Sequence, residues 1–205
     1  MRKQARRRPR RKHSRGAVAA EAALVTPLVL LIVFGIVEMA LLMHDNVALG
    51  SLAERGAHAA VAHADTSVAE GTRGFAQYAA DAVAEAESSI PKGTIEELWV
   101  YRPNEGGYPC AAPVGSDCAP QDESRSWTCA ADCLRFEWNA SARHFDLVSG
   151  SWAGCPTAGD QVGVYLSADH AFLAAPLLRP ASVQNNAVLS FDVLGDTPCD
   201  RGDDL

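Results

Sequence analysis

The sequence predicts an α+β chain: a long N-terminal transmembrane helix continuing into a helical stalk, then a small antiparallel sheet domain with disulfides. Three observations predict it. Ala22–Val37 is a run of sixteen residues without a charge. Helical spacing of apolar residues persists to about residue 90 and then gives way to alternation. All six cysteines fall after that change. Helices first and antiparallel strands afterwards is an α+β order, not a βαβ one. With 205 residues, 48% of them hydrophobic and 21% charged, the chain is neither wholly disordered nor collagen-like. The predicted segments are a basic cytoplasmic leader (1–16), a transmembrane helix (17–43), a helical stalk (44–90) and an extracytoplasmic β-rich disulfide domain (91–205).

The net charge of -7 conceals a split. Residues 1–16 hold nine of the 18 Lys and Arg and no acid, so they carry +9 and the rest of the chain carries -16, the difference between -7 and +9. Such an arm neutralises phosphates in nucleic-acid-binding proteins. The apolar run that follows argues for a membrane instead, with lipid as the partner and no nucleic acid. Ala22–Met43, interrupted by Glu38, is 22 residues. As a helix it spans roughly 33 Å, enough for a hydrocarbon core about 30 Å thick. By the positive-inside rule the arm stays in the cytoplasm and residues after about 45 lie outside, giving a single-pass protein of the cell membrane. A cleaved secretory signal fits poorly, because its apolar core is ~7–15 residues and a small-residue cleavage site follows it. A plain signal anchor remains open.

Two carboxylates flank the uncharged run. A charge at the bilayer centre costs about 2.5–3.5 kcal/mol on insertion scales, and neither Glu21 nor Glu38 need lie at the centre. Glu38 is expected near the outer interface. Glu21 stands five residues after Gly16, so a cut between Gly16 and Ala17 makes it the fifth residue of the shortened chain, placed to pair with a new α-amine.

Beyond Met43, Leu49, Leu52, Ala53, Ala60, Val61, Ala64 and Val68 recur at helical steps. Phe75, Tyr78, Ala79, Ala82, Val83 and Ala86 form a second helical run expected to stop at Ile90-Pro91. Alternation then predicts strands at Ile95–Arg102, around Leu134, Phe136 and Trp138, around Phe145 and Leu147, at Val162, Val164 and Leu166, and at Leu189, Phe191 and Val193. Asn139-Ala-Ser-Ala is the turn of a hairpin. A long loop is expected over about 103–128. Cys110, Cys118, Cys129, Cys133, Cys155 and Cys199 are disulfide candidates in the outer compartment, with fifteen pairings open. Zinc is the rival for Cys129-Ala-Ala-Asp-Cys133, but no second ligand pair completes a set of four.

The run Gly16-Ala-Val-Ala-Ala-Glu21-Ala-Ala-Leu-Val-Thr-Pro27-Leu-Val-Leu-Leu-Ile-Val-Phe-Gly35-Ile-Val-Glu38 resembles the TadE-type family of tight-adherence (Flp) pilus assembly, in which Gly, Glu, Pro, Gly and a second Glu recur in this order. More loosely, Cys133–Trp138, Gly150–Trp152, Cys155, Asp160–Tyr165 and His170 look like the outer domain of actinobacterial TadE-like proteins. The resemblance implies a pilin-like fold and a pseudopilin or pilus-assembly role. It also implies a prepilin peptidase acting at Gly16 and Ala17, assembly roles for Glu21 and Glu38, and other pilin-like subunits and pilus or secretion machinery as partners.

Catalytic signatures are absent from the sequence. Gly150-Ser-Trp-Ala-Gly154 places Trp where a nucleophile elbow needs Ser, and there is no phosphate loop, dinucleotide fingerprint or H-E-x-x-H. Ser167, Asp169 and His170 are a triad fragment only in composition, since a triad is defined by geometry. His58 and His63 are five apart and do not share a helix face as i,i+4 ligands do. Asn139-Ala-Ser141 fits a glycosylation triplet, and Arg201-Gly-Asp203 is a tripeptide in an acidic tail. The expectation is a non-enzymatic chain without cofactor or metal. The alternative is an uncleaved single-pass protein whose outer domain binds an extracellular ligand.

Overall fold

The computed structural model describes residues 14–64, 74–104, 106–109, 129, 132–152, 156, 159–172 and 180–191, with side chains from Val18 onward. The chain divides into two compact units, Met1–Leu41 and Leu42–Leu205. The helix α1, Ser14–Ala62, passes through the boundary. In the first unit its side chains from Val18 to Leu41 are exposed on every side apart from half-buried Glu38, as an apolar sequence without a single apolar stripe requires. Pro27 sits inside it. Proline lacks an N–H, so the carbonyl of Ala23 loses its i→i−4 donor there.

In the second unit α1 acquires one buried face. Leu49, Leu52, Ala53, Ala57 and Ala60 are buried, and they join Phe75, Ala76, Ala79, Ala80 and Val83 of the helix α2, Phe75–Glu85. Steps of three and four put these residues on one side of each helix. Helix α2 ends earlier than the sequence suggests. The Ala86 backbone is already extended, and the Ser88 hydroxyl accepts a hydrogen bond from the Ile90 N–H. Such local side-chain bonds compete with helix, and a residue before proline is pushed out of helical geometry. A 3-10 turn, Lys92–Thr94, leads into the sheet.

The sheet has five antiparallel strands: β1 Ile95–Tyr101, β2 Cys133–Asn139, β3 His144–Ser151, β4 Gln161–His170 and β5 Ala181–Ser190. Their order is β3-β2-β1-β4-β5. Leu98 and Val100 of β1, Leu134 and Phe136 of β2, Phe145 of β3, Val162, Val164 and Leu166 of β4, and Val183 of β5 join the helices in one core. Trp99, Tyr101, Cys133 and Tyr165 form a second cluster. Alternation along β1 assigns these two sets to opposite faces. The α+β class is borne out. The last strand is displaced from its expected place: pairing with β4 runs from Ala181 to Ser190, and Phe191 is buried just past its end. Val193 and the acidic tail, with Arg201-Gly-Asp203, lie outside the described residues.

Two glycines are fixed by packing. A Cβ on Gly163 would run into the ring of Tyr101, its cross-strand partner. Gly150 has φ +111, and a Cβ there would collide with the backbone of Cys133, so this position excludes other residues.

Candidate functional site

The first candidate region is the N-terminal part of α1. Gly16 and Ala17 fall in its first turn. From Val18 the apolar side chains are exposed, reaching 80% at Leu24. Among the described residues one helix is long and apolar enough to cross a membrane, and it begins at Val18. Glu21 is exposed, whereas Glu38 is half-buried between exposed Val37 and Met39. The two glutamates are 17 positions apart, roughly 26 Å along the helix axis, and at 100° per residue they point to different sides. Gly35 lies between them with no heavy atom within 4 Å of where a Cβ would stand. Among the described residues nothing crowds that position.

The second region is polar and lies in the other unit, where α1 meets the end of β4 and the middle of β5. Asp45 is the first acid after Glu38. Its Oδ2 lies 2.6 Å from Nδ1 of His170, which is buried at the last position of β4. The His170 ring also stands edge-on to Phe172. At the next position, the Asn185 amide donates to the carbonyl oxygen and to Oδ1 of Asn46 at 3.0 and 2.8 Å. Gly50 leaves the space this needs, since a Cβ there would stand 2.8 Å from Asn185 Nδ2. The sequence reading missed Asp45, Asn46 and Asn185. The available signal was the polar run His44-Asp45-Asn46 directly after the apolar one.

The triad fragment is not assembled. Ser167 Oγ bonds to Ser182 Oγ, and His170 turns to Asp45. Asp169 stands beside Glu96, whose carboxyl is held above the usual range first by burial and then by the Asp169 charge. His58 approaches Glu54 at 3.9 Å, and His63 stacks on Tyr78 with ring centroids 3.8 Å apart.

Of the disulfide candidates, Cys129 and Cys133 are bonded to each other. That removes this pair as zinc ligands. Cys110, Cys118, Cys155 and Cys199 lie outside the described residues. Close to the bond, Arg102 Nε is 3.6 Å from buried Asp132, and the guanidinium lies 5.4 Å above the Trp152 ring. Trp152 in turn packs edge-on against Phe75. The stretches Cys133–Trp138 and Asp160–Tyr165 therefore form β2 and the start of β4, which flank β1 on either side. At the tip of the β2–β3 hairpin, Asn139 Oδ1 accepts the N–H groups of Ser141 and Ala142, and its amide donates to Asp146. The glycosylation triplet thus caps a turn.

Behind the aromatic cluster, Tyr101 donates to the Gly107 carbonyl and accepts from the Asn186 amide. Burial drives its phenol well above the ordinary range, so it stays a donor throughout the working pH range.

Residues 16–58 match the profile of the family described as TadE-like protein. No curated protein and no solved structure matches the chain.

Proposed function

We propose, from the premise that the chain is a TadE-like protein through residues 16–58, that it works as a membrane-anchored minor pseudopilin in a tight-adherence pilus or a related secretion system. The family places it coarsely, as a membrane component related to that pilus. The observation that carries the finer reading is the apolar part of the matched segment, a helix exposed from Val18 to Leu41 apart from half-buried Glu38, with a carboxylate near each end and nine positive charges within residues 1–16 before it. The charge asymmetry sets the N-terminus in the cytoplasm and the sheet domain outside. A prepilin peptidase then cuts between Gly16 and Ala17. Glu21 accepts the charge of a new α-amine, on its own or a neighbouring chain, and this offsets the cost of bringing a carboxylate to the lipid edge. Glu38 is the second assembly contact. The sheet domain meets the other pilin-like subunits and the export machinery, and the chain itself performs no catalysis.

Sequencing the N-terminus of protein extracted from membranes that contain the peptidase tests this. The expected first residue is Ala17, and Gly16→Leu should leave the leader attached. An intact leader alongside active peptidase rejects the processing step and favours an uncleaved single-pass anchor with a ligand-binding outer domain.

A further inference from the structure

At the tip of the β2–β3 hairpin stands a motif that the pilus reading does not use. Asn139-Ala-Ser141 is the acceptor triplet of asparagine-linked glycosylation, a modification made on surface loops outside the membrane. The chain has five asparagines, and only Asn139 is followed two residues later by Ser or Thr. Its surroundings suit an acceptor. Asn139 is the last residue of β2, Ala140, Ser141, Ala142 and Arg143 are exposed, and β3 begins at His144. Arg143 donates its N–H to the Asn139 carbonyl at 2.7 Å and takes a positive φ of 57, so the chain reverses within the tip.

The side chain of Asn139 is held but not buried. Its Oδ1 accepts the Ser141 N–H at 3.0 Å, which folds the triplet into one compact turn where an enzyme can read both side chains together. Nδ2 donates to Asp146 at 2.7 Å. Asp146 is itself exposed, so exchanging that bond for another costs little. A purely structural turn explains the asparagine and leaves the serine unexplained. The turn takes from position 141 only a backbone N–H, which every residue but proline supplies. Among the described residues the exposed Ser141 hydroxyl meets no donor or acceptor. Glu137, exposed two residues before Asn139 on the same face of β2, adds a charge by which an enzyme can hold the end of the strand.

We infer that Asn139 is a modification site, glycosylated on Nδ2 by a transferase that works outside the membrane and draws on a lipid-linked glycosyl diphosphate. Nδ2 attacks the anomeric carbon of the saccharide. A C–N bond forms there, the C–O bond to the diphosphate breaks, and the diphosphate leaves with that electron pair. One Nδ2 proton passes to a base, and nothing is oxidised or reduced. The Ser141 hydroxyl is the contact by which the transferase selects this asparagine. The inference rests on the orientation in the pilus reading, with the sheet domain outside, and not on cleavage of the leader.

The test uses the full chain isolated from its native membranes. Trypsin cuts after Arg135 and Arg143 and releases residues 136–143, in which Asn139 is the one asparagine. That peptide is expected to be heavier by a saccharide, and an amidase that cleaves the sugar–asparagine bond should leave aspartate at the position. Ser141→Ala should reduce the heavy peptide to background and keep the fold, because the turn bond comes from its backbone. Ser141→Thr should retain the saccharide. Protease added to cells stripped of any outer envelope reports the orientation separately. An unmodified peptide from a sheet domain that the protease reaches overturns the inference and leaves the orientation standing. A sheet domain shielded from the protease overturns the orientation, and the inference with it. A saccharide that resists the amidase and is lost in mild base sits on the Ser141 hydroxyl, and a heavy peptide that persists in Ser141→Ala shows that no transferase reads that hydroxyl. Either result rejects the assignment.

Discussion

Two stretches of α1 are built from the same apolar alphabet and behave in opposite ways. Between Val18 and Leu41, Val, Leu, Ile, Phe and Met cover the whole circumference and stay exposed. Between Leu49 and Ala60, apolar residues keep to one face and are buried to 0% or 1% exposure. The difference lies in pattern, not in hydrophobicity. An apolar helix with no polar face has no side to turn to water, and this one is long and apolar enough to cross a membrane. A helix with one small, alanine-rich stripe can lie close on another element, because Ala and Gly bring backbones together. In this stretch Gly56 has Val83 and Val164 against the place where a Cβ would be, at 3.0 and 3.2 Å. Gly35, in the other stretch, has nothing there.

Truncating one leucine in each stretch should break the comparison most visibly. Leu52→Ala removes a side chain that is 1% exposed from the junction of α1 with the core. Its expected cost is about 2–5 kcal/mol of sheet-domain stability, the range for buried leucines whose cavity does not collapse. Leu30→Ala, at a position 48% exposed, should change the same unfolding transition by no more than about 0.5 kcal/mol. Thermal unfolding of the full chain in detergent, read through tryptophan fluorescence, measures both. Equal effects would mean that the two stretches do not differ as described.

The glycines give the next largest contrast. Gly56→Leu forces a branched side chain into contact with Val83, Val164 and the Ala79 carbonyl, and overpacking of this kind costs typically 1–3 kcal/mol. Gly35→Leu enters open space and should leave the sheet-domain transition where it is. If Gly35→Leu disturbs association of the chain in the membrane while the transition stays put, the contrast sharpens: Gly56 serves intramolecular packing and Gly35 a surface facing lipid or another helix.

Much of this architecture was legible before any coordinates. Strands β1 to β4 announce themselves through alternating apolar positions that reach the core, as in Leu134, Phe136 and Trp138, even though β4 is buried on both faces from Val162 to Ala168. Strand β5 was misplaced because Ser182, Gln184, Asn185 and Asn186 are poor strand formers, held extended by their pairing with β4. Buried Phe191 meanwhile imitates a continuing alternation. The resemblance carried by the long apolar helix was readable because Gly16, Glu21, Pro27, Gly35 and Glu38 are a local pattern, and residues 16–58 match that family's profile. The contacts between Asp45 and His170, and between Asn46 and Asn185, were not. They join residues 125 and 139 positions apart, and no local rule of spacing links positions so distant.

The smallest expected effect concerns an exposed polar group, which sets the other end of the scale opened by Leu52. Asp146 lies at the tip of the β2–β3 hairpin with half its side chain exposed. The Asn139 amide donates to it at 2.7 Å, and His144 Nε2 lies 2.5 Å from its other oxygen. Those hydrogen bonds, Asn139's first, hold its carboxyl below the ordinary aspartate value of 3.8. A depressed folded-state pKa means that the unfolded chain binds the proton more readily. The stabilisation is therefore complete above the unfolded value and is lost as pH falls from there through the folded one. Asp146→Asn keeps the shape and discards the titration, so the decline of melting temperature below about pH 4 should become slightly shallower than in the wild type, while the curves stay parallel above about pH 5. Melting curves across that interval check it. An acid limb of identical slope in the two proteins would mean that the tip bonds do not survive in solution, leaving burial along α1 and the sheet as the main source of stability in the sheet domain.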